Sequence, residues 1–279
     1  FLHPATYSLG PRRQGISFLA TDQPGIHHGS MEDGMTIQNS SITDGWTRSP
    51  GYARTLQSED QINEVLRLLD LSAARSLADV GCGNGAFAVR AATEYPQCKV
   101  FACDSLDAAI TECRNRAHEA SAGNLTAEVA SADRLPLGDD VVDRVLSRNV
   151  LHHLSDAHEA YTETARILAP GGVFILEAPY NSGSGRVGEA LTRIFQLADD
   201  SHVRYYHSLE AIEADLSTYG FRVEEHSAWT FENRMPSGGV EVAEETGASQ
   251  HLRVQTNEDG VITYQLPVMR LRLRLVSQP

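Results

Sequence analysis

The stretch Leu77-Ala78-Asp79-Val80-Gly81-Cys82-Gly83-Asn84-Gly85 joins a short, mostly apolar run to three alternating glycines. Such a run reads as a buried strand, and glycines at its end let the backbone turn into a helix and approach a ligand without a Cβ clash. The loop alone does not choose the ligand. Gly81-x-Gly83-x-x-Ala86 also satisfies the dinucleotide fingerprint, so a nicotinamide- or flavin-dependent oxidoreductase stays open at this point.

Outward from the loop the pattern alternates: strand 76–81, helix 84–95, strand 99–103, helix 106–119, strands 125–131 and 141–147, helix 156–168 and strand 172–178. Short apolar strands separated by helices need crossover connections, which predicts an α/β fold with a doubly wound, Rossmann-like sheet and helices on both faces. Ligands then bind at the carboxyl ends of the strands. Upstream, Ser58 caps a helix whose stripe is Ile62, Val65, Leu66 and Leu69, with Gln61 reaching back as in a capping box. Residues 1–57 carry no clear period and read as an arm, with Trp46 and Tyr52 as residues of a lid; residues 58–279 read as one domain. Its cofactor half is 76–178 and its substrate side is 179–279. The tail predicts helices at 187–199 and 209–219, a strand at 221–230, a polar insertion, a hairpin through Asp259-Gly260 and a last strand at 268–276, all antiparallel in character. That strand alternates Met269, Leu271, Leu273 and Leu275 with Arg270, Arg272 and Arg274, and the arginines are expected to pair with Glu210, Glu213 and Asp215.

The chain carries 37 Asp and Glu against 23 Lys and Arg, a formal charge of −14, and Lys99 is its one lysine. A surface of this sign repels phosphate backbones, which argues against a nucleic-acid substrate. No run approaches the roughly 18 apolar residues of a membrane span, and residues 1–20 hold no signal-peptide core, so no membrane partner and a cytoplasmic location are expected. Cys82, Cys98, Cys103 and Cys113 form no C-x-x-C pair and read as reduced thiols. No metal is expected, although His27-His28 and His152-His153 leave one open.

Charge around the loop narrows the ligand. Asp79 precedes it and no Lys or Arg lies between Leu77 and Val89, a poor setting for a pyrophosphate and a good one for a cation. S-adenosylmethionine carries a sulfonium and an ammonium, has no phosphate, and its carboxylate can use N–H groups at the helix start. Asp104 ends the second strand, where a carboxylate can accept from ribose hydroxyls, and Asp133 follows the third, where an adenine amino group can meet an acceptor.

Through D-V-G-C-G-N-G, A-C-D-S, A-D-R-L-P, V-L-H-H-L and L-A-P-G-G, residues 76–178 resemble the methyltransferase type 11 family of class I enzymes. The resemblance implies a seven-stranded sheet with an antiparallel last strand, S-adenosylmethionine as cofactor, and a methyl acceptor that is a small molecule attacked at O, N or C. It places Asp79, Gly81, Cys82, Gly83, Asn84 and Gly85 around the methionine moiety, Asp104 and Ser105 at the ribose, Ala132 and Asp133 at the adenine, and Arg148 and Asn149 beside the methionine end. His152 and His153 follow, near the acceptor's place; a neutral imidazole there can take a proton near pH 7, and local packing is the competing reading. Tyr180, Tyr205, Tyr206 and His207 fall where the pocket's roof is expected. A protein that binds the cofactor without methyl transfer is the remaining rival, and the oligomeric state stays open, a homodimer included.

Overall fold

A computed structural model describes residues 58–154, 156–180, 186–198 and 208–276. The arm and lid assigned to 1–57, with Trp46, Tyr52, His27 and His28, and the roof residues Tyr205, Tyr206 and His207, lie outside the described residues. The elements run α1 (Glu59–Leu69), β1 (Ser76–Val80), α2 (Ala86–Glu94), β2 (Lys99–Asp104), α3 (Asp107–Glu119), β3 (Leu125–Val129), β4 (Val142–Arg148), a 3-10 turn (Leu151–His153), α4 (His158–Ile167), β5 (Leu168–Pro179), α5 (Arg186–Ala198), α6 (Leu209–Ser217), β6 (Phe221–Arg234), α7 (Gly239–Glu245), β7 (Gln255–Thr256) and β8 (Ile262–Leu275).

One sheet holds them in the order β3-β2-β1-β4-β5-β8-β6, with the two-residue β7 beside β8. Strands β1 to β5 pair in parallel, and β8 is antiparallel to both β5 and β6. The expected seven-stranded, doubly wound sheet is therefore present, with β7 as an addition. Alternation along the strands sends successive side chains to opposite layers. Leu77, Leu146, Val173 and Ile175 pack with α1, α2 and α3, whereas Ala78, Val145, Phe174 and Leu176 pack with α4 and α6. A separate core joins Leu191, Ile194 and Phe195 of α5 to Val242 of α7 and to Tyr264, Leu266 and Val268 of β8. It is built from the part of the chain that follows β5.

Several local expectations change. Ser58 caps α1, its Oγ accepting from Gln61 N at 3.4 Å, but the Gln61 side chain reaches Arg270 on β8 and makes no return bond to the cap. Strand β5 starts at Leu168, not 172, because Ala169-Pro170-Gly171-Gly172 is absorbed as a bulge: Val142 pairs with Leu168, and the next pair is Arg144 with Val173. The arginines of β8 do pair with acids, though not those of α6. Because β8 lies between β5 and β6, its partners come from flanking strands: Glu177 for Arg270, and Glu224 for Arg272 and Arg274. Leu68 O at the end of α1 accepts a further bond from Arg272 Nε at 3.0 Å, so this face is covered by α1. Among the described residues no helix is long and apolar enough to cross a membrane.

Candidate functional site

The glycine loop sits at the carboxyl end of β1, against the ends of β2 and β4. Its path is pinned by Gly81 N and Cys82 N, which both donate to Cys103 O at 2.7 and 3.0 Å, and by Gly85 N, which donates to Cys82 O at 3.0 Å. Gly81, Gly83 and Gly85 all have positive φ, at 74°, 54° and 76°. Their reasons for being glycine differ. A Cβ on Gly81 would lie 2.0 Å from Val150 Cγ2, and one on Gly85 would lie 2.3 Å from Cys113 Sγ, so both are packed against protein. A Cβ on Gly83 would meet nothing within 4 Å: that glycine faces open space, which a ligand can fill. Asn84 is buried, and its Oδ1 accepts from Ala86 N at 3.3 Å, holding the first turn of α2.

Asp104 links the loop to β2. Its Oδ2 accepts from Gly83 N at 2.9 Å and its Oδ1 from Leu106 N at 3.0 Å, so the carboxylate is fixed at the strand end with lone pairs left for two neighbouring hydroxyls. Ser105 beside it is exposed. Ala130 N donates to Asp104 O at 2.9 Å, which carries β3 on towards Ala132 and Asp133; Ala132 is half-buried and Asp133 exposed. This turn is held from below. Glu163 on α4 accepts from Leu135 N at 2.7 Å while pairing with Arg166, and the arginine keeps its carboxyl below the ordinary value.

Among the described residues Asp79 is the most perturbed acid. Burial pushes its carboxyl up to about 7, Asp104 adds to the rise, and Arg148 and the Ala88 N–H oppose it. A carboxylic acid so desolvated gains greatly from a cation placed against it. Arg148 closes β4, where its Nε donates to Glu177 and its guanidinium carbon stands 3.8 Å from the Phe87 ring centre. Asn149 follows in the left-handed region, φ 56°, its N donating to Glu177 O at 2.9 Å. The two histidines then separate: His152 is buried and His153 exposed, with ring centres 4.2 Å apart. Tyr180 is half-buried at the end of β5.

Asp79, Gly81 to Gly85, Asp104 and Arg148 thus share one end of the sheet, with Ala132-Asp133 joined to it through β3. Sequence reasoning missed Glu177 and with it the true partner of Arg270. Glu177 stands in an otherwise apolar strand, Phe174-Ile175-Leu176-Glu177-Ala178, and a lone acid there was a readable sign of a buried partner.

A Rossmann-like sheet with a glycine loop, an acid at the end of β2 and no basic residue in the loop defines the class I type of nucleoside-cofactor site. Comparison with known proteins agrees. Residues 78–176 match the model of the methyltransferase domain family. The chain is 24% identical to an uncharacterised methyltransferase, YcgJ, of Bacillus subtilis over 71% of this chain and 79% of that protein. The YcgJ crystal structure covers 77% of this chain and 98% of its own, with a TM-score of 0.68 at 21% identity. An uncharacterised protein of Escherichia coli, YafE, is 32% identical over 50% of this chain and 73% of its own. The 27-O-demethylrifamycin SV methyltransferase of Amycolatopsis mediterranei is 28% identical over 53% of this chain, which spans 48% of that enzyme. The chain belongs to the methyltransferase domain family and is an S-adenosylmethionine-dependent methyltransferase.

Proposed function

We propose that the chain methylates an O, N or C nucleophile of a small molecule, and that Asp79, Gly81, Cys82, Gly83, Asn84, Gly85, Asp104, Ser105, Ala132, Asp133, Arg148 and Asn149 hold the cofactor. The observation that carries this assignment is the open face of Gly83 beside two fixed carboxyls, Asp79 and Asp104, one of them poised by burial to welcome a cation. Asp79 takes the ammonium, Asp104 the ribose hydroxyls and Asp133 the adenine amino group. When bound, S-adenosylmethionine supplies an electrophilic methyl whose bonding pair leaves with sulfur as the new bond forms.

The chain's own part is to align the acceptor, exclude water and take a proton where the nucleophile carries one. Orientation supplies about 7–11 kcal/mol of barrier lowering, against roughly 3–5 kcal/mol for a general base. His152 and His153 are the base candidates. His153 is exposed and His152 buried, with their rings in contact. The small-molecule class draws on the rifamycin relative, whose name gives such an acceptor. A screen of small hydroxyl, amine and activated-carbon acceptors with labelled cofactor tests the reading: product formed with wild type and slowed but not abolished in His153→Ala supports it, and cofactor binding with no methylated product would favour the non-methylating rival.

A further inference from the structure

Cys82 lies half-buried in the glycine loop, and Cys113 lies fully buried on α3; both are free thiols in the core layer under α1, α2 and α3. The turn Cys82-Gly83-Asn84-Gly85 is closed by the bond from Gly85 N to Cys82 O at 3.0 Å. Cys113 is packed on the last residue of that turn: a Cβ on Gly85 would lie 2.3 Å from Cys113 Sγ and 3.2 Å from its Cα. At the first residue of the turn, the Cys82 thiol is a hydrogen-bond partner of the Cys113 thiol. Cys103 packs in the opposite layer, and Cys98 Sγ meets Lys99 O at 3.8 Å, so neither competes for Cys113.

A buried cysteine usually acts as a small apolar side chain, and Cys98 and Cys103 do so. The Cys82–Cys113 pair differs, because two sulfurs in contact need only a small movement to reach the S–S bond length of about 2.0 Å. The bond from Cys82 holds the Cys113 thiol below its ordinary value against the effect of burial, whereas burial pushes Cys98 up to about 11 and Cys103 up to about 12. The pair therefore yields a thiolate, the reactive form, more readily than either of the others. Movement of Cys82 also reaches the ligand side of the loop. Its neighbour Gly83 faces open space and donates its N–H to Asp104 Oδ2 at 2.9 Å.

We propose that Cys82 and Cys113 form a redox switch: hydrogen peroxide closes them into a disulfide that draws the glycine loop towards α3 and weakens cofactor binding. The effect on binding rests on the S-adenosylmethionine reading. One sulfur of the pair, as thiolate, attacks an oxygen of the peroxide; the O–O bond breaks, and the hydroxide released takes a proton to become water. The second sulfur then attacks the sulfenic sulfur, the S–O bond breaks, and the hydroxide leaves as water with the second thiol's proton. Two thiols and one peroxide thus give one disulfide and two waters, sulfur being oxidised and peroxide oxygen reduced. Closure pulls Gly83 N away from Asp104, the acid proposed for the ribose. By linkage, bound cofactor opposes closure to the same degree that closure weakens the cofactor.

The test treats the full chain with hydrogen peroxide, maps disulfides by mass spectrometry of peptides, and titrates S-adenosylhomocysteine calorimetrically before treatment, after it, and after reduction with dithiothreitol. The expected result is a Cys82–Cys113 linkage, a fall in free thiols from four to two, and affinity reduced about tenfold or more and restored by dithiothreitol. Cys113→Ser is expected to keep its affinity through the same treatment, and Cys113→Ala serves if the serine variant does not fold. Peroxide that leaves both thiols free, or links other cysteines, would overturn the proposal, as would a Cys82–Cys113 disulfide with unchanged affinity. A Cys113 variant that loses affinity on oxidation as wild type does would also overturn it, because damage at Cys82 alone would then suffice. Reduced wild type that binds no S-adenosylhomocysteine would sink the cofactor reading and the effect on binding with it, whereas peptide mapping reads the disulfide independently of any ligand.

Discussion

Asp79→Asn is expected to make the free protein more stable and the cofactor complex weaker. Folding moves the Asp79 carboxyl from its ordinary value of 3.8 up to about 7, chiefly by burial. The folded chain therefore binds more protons than the unfolded one between these values. The stability this group contributes is full below about pH 4 and is lost as pH rises through about 7. A shift of about three units corresponds to roughly 4 kcal/mol, so the free asparagine variant gains up to about that much at pH 8 and nothing at pH 4. Asparagine keeps an acceptor for the Ala88 N–H that Asp79 now uses. Cofactor binding runs the other way, because an ammonium needs the ionised acid. With a carboxyl near 7, wild-type affinity for S-adenosylhomocysteine falls by about 30-fold from pH 8 to pH 5.5, while the variant is weak and flat over that range. Denaturant melts of the free protein and calorimetric titrations across pH read the two halves. Wild-type affinity that does not change with pH, or a variant no more stable than wild type at pH 8, would refute the reasoning.

The glycines of the loop should separate by role. Gly85→Ala combines a left-handed φ with a Cβ driven into Cys113 and is expected to lose about 2–4 kcal/mol of stability in a denaturant melt. Gly83→Ala carries the φ penalty alone, about 1 kcal/mol, yet should lose most cofactor binding because its methyl enters the space the ligand needs. Glu163→Ala removes the acceptor of Leu135 N and the partner of Arg166, and is expected to cost about 1.5–3 kcal/mol and to loosen the Ala132-Asp133 turn, read as weaker adenosine binding. Since the Glu163 carboxyl is lowered on folding, its contribution is present above the ordinary carboxylate range and lost as pH falls through its folded value, and the wild-type minus variant difference should shrink in acid.

The parallel half was legible because each strand there is a short apolar run closed by a turn signal, and its helices have the matching period. Ala169-Pro170-Gly171-Gly172 misled because a bulge and a turn use the same residues; Gly171 at φ 76° serves either. The polar insertion hid α7, whose seven residues, Gly239–Glu245, are too short for a periodic stripe to stand out and gain their place from Phe195, Tyr264 and other residues of the core shared with α5 and β8. The three arginines of β8 were visible as a face, but their partners depend on strand order. Only the insertion of β8 between β5 and β6 puts Glu177 and Glu224 beside them, and the shift between Val223 and Glu225 leaves Glu224 unpaired in the ladder. Asp79 and Asp104 were legible as strand-end acids. That Asp79 is fully desolvated and that Arg148 is oriented by Glu177 are properties of packing, which spacing does not carry.

Calorimetric binding of S-adenosylhomocysteine to wild type and to Asp104→Ala, with NADH as control, tests the central claim most directly. Micromolar affinity for S-adenosylhomocysteine, sharply reduced in Asp104→Ala and absent for NADH, is the expected result. Tighter binding of NADH, or none of either ligand, would contradict it.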